Sequence, residues 1–225
     1  MELAKRVEGR AFIGVFIGLL VVIQAVFAIA AYAAPSQAVI MEDVSVEVDG
    51  ITYTVELDTE SKTACVTDVS DPAAETTVTM PASIDHGGVA YTVTSLQWGL
   101  FSPDRDNVVG LVLPDTLTNV NGASFGKFPN VTELTIPGSV KVFDGDFQSM
   151  KKLTTLTFSE GVEEIASNSM VSRCESLTTV NLPKSLLRIT QPATFSGAAA
   201  LQNIALPDDL VVSEGGLFSG LAAPL

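Results

Sequence analysis

VTELTIPGSVKVFDGDFQSMKK, residues 131–152, recurs with the same hydrophobic positions as LTTLTFSEGVEEIASNSMVSRCES at 153–176 and LTTVNLPKSLLRITQPATFSGAAA at 177–200. The flanking blocks, VVGLVLPDTLTNVNGASFGKFPN at 108–130 and LQNIALPDDLVVSEGGLFSGLAAPL at 201–225, align to the same positions. A period of about 23 residues implies a solenoid, because a unit of that size cannot bury its apolar face alone and must stack on its neighbours.

Within each unit, L-x-x-L-x-L-P alternates apolar and other residues, as in Val131, Leu134 and Ile136 before Pro137, or Leu177, Val180 and Leu182 before Pro183. Period-2 alternation predicts a strand, and proline, which has no amide to donate, ends it. Only the third unit departs, with Ser159 in the proline position. A second apolar pair follows: Leu117 with Val120, Val140 with Phe143, Val162 with Ile165, Leu186 with Ile189. A large apolar residue completes the circuit, at Phe125, Phe147, Met170, Phe195 and Phe218.

The same alternation aligns the outward residues of successive strands. Gly110 and Val112 precede Glu133 and Thr135, then Thr155 and Thr157, Thr179 and Asn181, Asn203 and Ala205, with Thr77 and Thr79 further upstream. They are expected to form one continuous face. The candidate ligand face is therefore Thr77, Thr79, Glu133, Thr135, Thr155, Thr157, Thr179, Asn181 and Asn203, since the exposed sheet is where solenoids bind. Threonine also suits any half-exposed strand, so plain strand propensity is the competing reading. Trp98, with Leu100 and Phe101, is a second candidate surface, although Phe101 aligns with the recurring core phenylalanine.

The ends of the chain differ from its middle. Lys5, Arg6 and Arg10 lead an apolar run from Ala11 to Ala31 that closes on Ala31-Tyr32-Ala33. This is the order of a secretory signal peptide, yet the run is long enough to be an N-terminal hydrophobic helix held as a membrane anchor. Residues 1–34 are assigned to one or the other, and the remainder is expected outside the cell. Val44, Val46 and Val48 alternate up to Asp49-Gly50, and Tyr53, Val55 and Leu57 alternate on the way back, a hairpin signal. Residues 39–75 read as a small N-terminal β-hairpin cap, with a third strand near 63–69, and 76–225 as about six solenoid units. No C-terminal cap is visible. A truncated product, coverage by the 215–225 tail, and coverage by a partner molecule are the three readings of that end.

The strand, the V/L-x-x-I pair and the following phenylalanine resemble the BspA-like leucine-rich repeats of bacterial surface proteins. The resemblance extends upstream to Thr77-Val78-Thr79-Met80-Pro81 and to Val89-Ala90-Tyr91-Thr92-Val93-Thr94-Ser95-Leu96. In that family the signature commonly ends in F-x-x-C, a cysteine present here only at Cys174. The resemblance implies a mainly β leucine-rich-repeat solenoid with a parallel β-sheet and short turns, and a role in adhesion or contact with host or matrix.

Composition narrows the partners. The formal charge is -14, and removing residues 1–34 leaves nine bases against 24 acids. Without a basic patch, neither nucleic acid nor anionic lipid is attracted. Gly122-Ala123-Ser124-Phe125-Gly126 matches the nucleophile elbow of hydrolases, but it falls in a repeat turn and the sole histidine, His86, lies in a glycine-rich turn. The acidic pairs Asp104/Asp106 and Asp144/Asp146 read as solvated loop charges, the first having Val108 and Val109 where a calcium loop wants a third oxygen and a glycine. Asn130-Val131-Thr132 matches a glycosylation acceptor at the start of a strand and is discounted. Cys65 and Cys174 are too few for a disulfide framework, and Cys174 falls at an inward repeat position. The expectation is an exported, non-catalytic protein with no cofactor or metal, binding a protein or glycan at the cell surface. Its alternative is a structural role in which the C-terminal edge self-associates or joins other chains.

Overall fold

Glu133–Ile136 (β8), Thr155–Phe158 (β10), Thr179–Asn181 (β12) and Asn203–Ile204 (β14) lie side by side in a parallel sheet, each contributed by one repeat. The computed structural model describes residues 41–97, 103–120, 122, 125–213 and 215–218. Register follows the repeat: Thr155 is opposite Glu133 and Thr179, and Leu156 is opposite Leu134 and Val180. The inward residues Leu134, Leu156 and Val180 are buried, as the alternation predicts.

Each strand ends in the same turn. The amides of Leu117, Val140, Leu186 and Leu210 donate to the carbonyls of Pro114, Pro137, Pro183 and Pro207 at 3.1–3.2 Å. Val162 makes this bond to Ser159 at 3.2 Å, so the proline-less unit keeps the turn. The Ser159 amide, which a proline would lack, donates to Ile136 of the preceding unit at 3.0 Å.

Beyond the turn, Val142–Phe143 (β9), Glu164–Ile165 (β11), Arg188–Ile189 (β13) and Val211–Val212 (β15) form a second parallel sheet, again one strand per repeat. The core lies between the two sheets. Leu117, Val120, Val140, Phe143, Val162, Ile165, Leu186 and Ile189 are all buried. So are Phe125, Phe147, Met170 and Phe195, while Phe218 is partly buried. Phe125 and Phe147 of adjacent units stack with centroids 5.3 Å apart, a geometry that adds to plain area burial. Burial thins toward the last described unit. Ile136 and Phe158 are buried, Leu182 is only partly so although its alternation points it inward, and Leu206 at the same position is 42% exposed.

At the other end, Met41–Val48 (β1), Ile51–Asp58 (β2), Thr63–Val69 (β3), Ser83–His86 (β5) and Val89–Leu96 (β6) build a sheet in the order β1-β2-β3-β6-β5. It draws strands from both sides of residue 75. Asp49 and Gly50, with φ of 51° and 78°, make the tight hairpin turn. This sheet grows directly into the repeats. Ser95 bridges Asn119 in parallel, and the amides of Thr118 and Asn119 donate to Thr94 O at 2.9 and 3.1 Å. Those of Glu163 and Glu164 do the same to Lys141 O at 2.9 and 3.0 Å.

One expectation needs correction. Thr76–Thr79 (β4) pairs in parallel with Val108–Val112 (β7), but these two form a separate sheet, and no ladder joins β7 to β8. The outward face is therefore interrupted rather than continuous. A bulge accompanies the break: Thr76 pairs with Val108 but Thr77 with Gly110, leaving Val109 extra. Bulges bend and twist the strand that carries them. The expected N-terminal helix lies outside the described residues, among which no helix is long and apolar enough to cross a membrane.

Candidate ligand-binding face

Strand pairing brings seven of the nine candidate residues into two adjoining columns. One runs Glu133, Thr155, Thr179, Asn203, and the other Thr135, Thr157, Asn181. Glu133, Thr135, Asn181 and Asn203 are exposed, and Thr155, Thr157 and Thr179 are half-buried by their neighbours. Thr77 and Thr79 are exposed on β4, opposite Gly110 and Val112, on the far side of the break. A Cβ on Gly110 would come within 2.6 Å of Thr77 Oγ1, so glycine lets that hydroxyl lie against the backbone.

The columns are internally bonded. Asn181 Nδ2 donates to Thr157 Oγ1 at 3.0 Å, and Asn203 Nδ2 to Thr179 Oγ1 at 3.5 Å. Beside them, Thr154 Oγ1 donates to Thr132 O at 3.0 Å and Thr178 Oγ1 to Thr154 O at 3.3 Å. A polar face already hydrogen-bonded within itself is stiff, and covering it strands fewer donors and acceptors than covering a fully solvated one.

At the break the face is indented. A groove of about 340 Å³ is lined by residues of β7 and its turn, including Val112 and Asp115, and by Glu133, Thr135, Pro137 and Ser159 from the next units. Val112 is 49% exposed. Repeat alignment marks Val112 as outward but carries no sign of the groove, which lies where no ladder joins β7 to β8.

The second sheet has a different outward surface. Arg188 Nε contacts Glu164 Oε2 at 2.5 Å, Thr190 Oγ1 donates to Glu164 Oε1 at 3.2 Å, and Lys141 lies 3.5 Å from Glu163. Its carboxylates are thus matched by cations from neighbouring units.

The remaining chemical motifs resolve into structure. Phe125–Lys127 is one turn of 3-10 helix with Phe125 buried, and Ala123 and Ser124 of the G-x-S-x-G match lie outside the described residues. His86 ends β5 and is half-buried. Asp144 accepts from Gly122 N at 3.2 Å, Asp146 from Gln148 N at 3.0 Å, and Asp104 lies 3.6 Å from Lys127. Among the described residues, no three His, Cys, Asp or Glu side chains converge as metal ligands do. Asn130 of the glycosylation match donates from Nδ2 to Asp106 O at 2.6 Å. Trp98, Leu100 and Phe101 lie outside the described residues.

Both cysteines are free. Burial pushes the Cys174 thiol up to about 12, and its Sγ donates to Phe147 O at 3.0 Å. Burial, helped by the Glu56 charge, pushes Cys65 up to about 11. Neither is a ready thiolate.

A leucine-rich cell surface protein of Faecalibacterium prausnitzii is 24% identical over 78% of this chain and 51% of its own, with a TM-score of 0.44. A leucine-rich repeat protein of Bacteroides ovatus is 18% identical over 76% and 55%, with a TM-score of 0.47. One from Eubacterium ventriosum is 20% identical over 80% and 50%, with a TM-score of 0.48. This chain spans about half the length of those proteins. No curated protein matches it in sequence. The model of the BspA type leucine-rich repeat region matches residues 94–222 in six copies, more than half of the sequence, and the chain belongs to that family.

Proposed function

We propose that this chain is an exported leucine-rich-repeat solenoid, without catalytic activity of its own, that recognises a protein or a glycan at the cell surface through the outward face of β8, β10, β12 and β14. In this reading residues 1–34 direct export or anchor the chain, 39–75 begin the cap, and 76–225 form the solenoid. The observation that carries it is the pairing of Thr155 and Thr157 with Glu133, Thr135, Thr179 and Asn181, which makes a regular polar surface from residues far apart in sequence. Export rests on the basic lead, apolar run and Ala-Tyr-Ala exit at the N-terminus.

The test is a screen of the full chain in neutral detergent against matrix proteins and a glycan array, followed by threonine-methyl NMR with the ligand found. The methyls of Thr135, Thr155, Thr157 and Thr179 are expected to shift while those of Thr52 and Thr190 do not. Shifts confined to Thr52 and Thr190 would place recognition elsewhere. A second reading, assembly through the C-terminal edge, draws on Leu206, Val211 and Val212, 42%, 66% and 44% exposed around β14 and β15. Sedimentation across a hundredfold concentration range tests it, and a monomer throughout contradicts it.

A further inference from the structure

The groove at the break combines two features. Its lining carries one exposed apolar side chain, Val112, which is half exposed beside the buried Leu113 and Pro137. Its rim carries two exposed carboxylates, Asp115 from the turn after β7 and Glu133 from the start of β8. Neither has an ion-pair partner among the described residues, whereas Asp68, Asp104, Glu163 and Glu164 all do. A volume of about 340 Å³ is at the low end for binding pockets, suited to a side chain rather than a large cofactor.

An exposed valine beside two unpaired carboxylates is complementary to a long cationic side chain, whose alkyl stem prefers apolar contact while its head remains polar. The charge of -14 draws such a partner in from a distance. The larger groove on the turn side has no such preference, because it mixes Asp104, Asp106 and Asp146 with Lys127, Lys151 and Arg173. We propose that the groove between β7 and β8 receives a lysine or arginine side chain of a protein partner, its stem on Val112 and its cation held by Asp115 and Glu133. This rests on the sheet-face reading above and names the partner's chemistry at one end of that face.

The experiment selects random dodecapeptides displayed on phage against the immobilised full chain and measures the affinity of the winners at physiological salt. Peptides carrying lysine or arginine at a fixed position are expected. Their affinity should fall about tenfold or more for the Asp115→Asn/Glu133→Gln variant, and less than about twofold for Asp208→Asn/Asp209→Asn, which removes equal charge from the corresponding turn of the last repeat. Replacing the peptide's cation with norleucine should cost the wild type as much and the groove variant little. Both altered rim residues are exposed, and circular dichroism verifies folding. Unchanged binding by the groove variant, or equal loss in the control, overturns the proposal. A Thr155→Lys/Thr157→Lys/Thr179→Lys/Asn181→Lys variant separates the two claims. Peptides lost there but kept by the groove variant leave the sheet-face reading standing, and peptides kept by both overturn both. Selection without cationic peptides overturns the groove alone and leaves glycan recognition by the sheet intact.

Discussion

The guanidinium of Arg105 is ion-paired with the carboxylate of Asp68, joining the loop before β7 to strand β3 of the N-terminal sheet. Arg105 also donates to the carbonyls of Val69 and Pro103, and its side chain is 5% exposed against 45% for Asp68. This asymmetry sets an order of effects. Arg105→Ala strands the buried Val69 carbonyl and empties the space of a side chain that is 5% exposed, and is expected to cost about 2 to 4 kcal/mol. Asp68→Asn keeps an acceptor at a solvated site and should cost about 1 kcal/mol or less. Urea unfolding of both variants measures this, and equal losses would contradict it.

Leu206 and Ile136 occupy the same repeat position, one exposed and one buried. Ile136→Ala should therefore destabilise by about 2 to 5 kcal/mol, in the range of buried large-to-small changes. Leu206→Ala should cost under about 1 kcal/mol, because little contact is lost. Thermal unfolding of the two variants side by side provides the check.

Gly138 and Gly161 touch across adjacent turns. A Cβ on Gly138 would fall 1.8 Å from the Glu160 carbonyl oxygen, and Gly161 has a φ of 110° that side-chain-bearing residues rarely adopt. Gly138→Ala must push two backbone turns apart, which is expected to cost about 1 to 3 kcal/mol. Gly216, with open space at its Cβ position, is the control. A neutral Gly138→Ala would mean that the turns do not pack as described.

Glu160 reaches into the next repeat, accepting from the amides of Lys184 at 2.9 Å and Ser185 at 3.2 Å. The Lys184 amide, with Ser185 adding to it, holds this carboxyl below its ordinary range. A depressed folded-state value contributes stability that is present above the unfolded value, about 4.3, and lost as pH falls through the folded one. Glu160→Gln is therefore expected to lower the urea midpoint at pH 7, with the gap to wild type closing on acidification to pH 3. A gap independent of pH would contradict the assignment.

The alternation of Leu134, Leu156 and Val180, the prolines after them and the Asp49-Gly50 turn were legible because each is a local pattern with a local cause. Register between repeats was legible too, since units of nearly equal length place equivalent residues side by side. Arg105 was hidden by its setting: flanked by Asp104 and Asp106, it reads as one more loop charge, and only the approach of β3 buries it. The break between β7 and β8 was also illegible. Gly110 and Val112 fit the repeat at every position, and the extra Val109 is visible only in how β7 pairs with β4.

The most direct test of the binding face is the affinity of the chain for a ligand found by screening, measured before and after Thr155, Thr157, Thr179 and Asn181 are replaced together by lysine. These side chains point out of one sheet, so the inward core is untouched and folding should persist. The account predicts loss of binding with an unchanged circular dichroism spectrum. Undiminished affinity in the folded variant would contradict it.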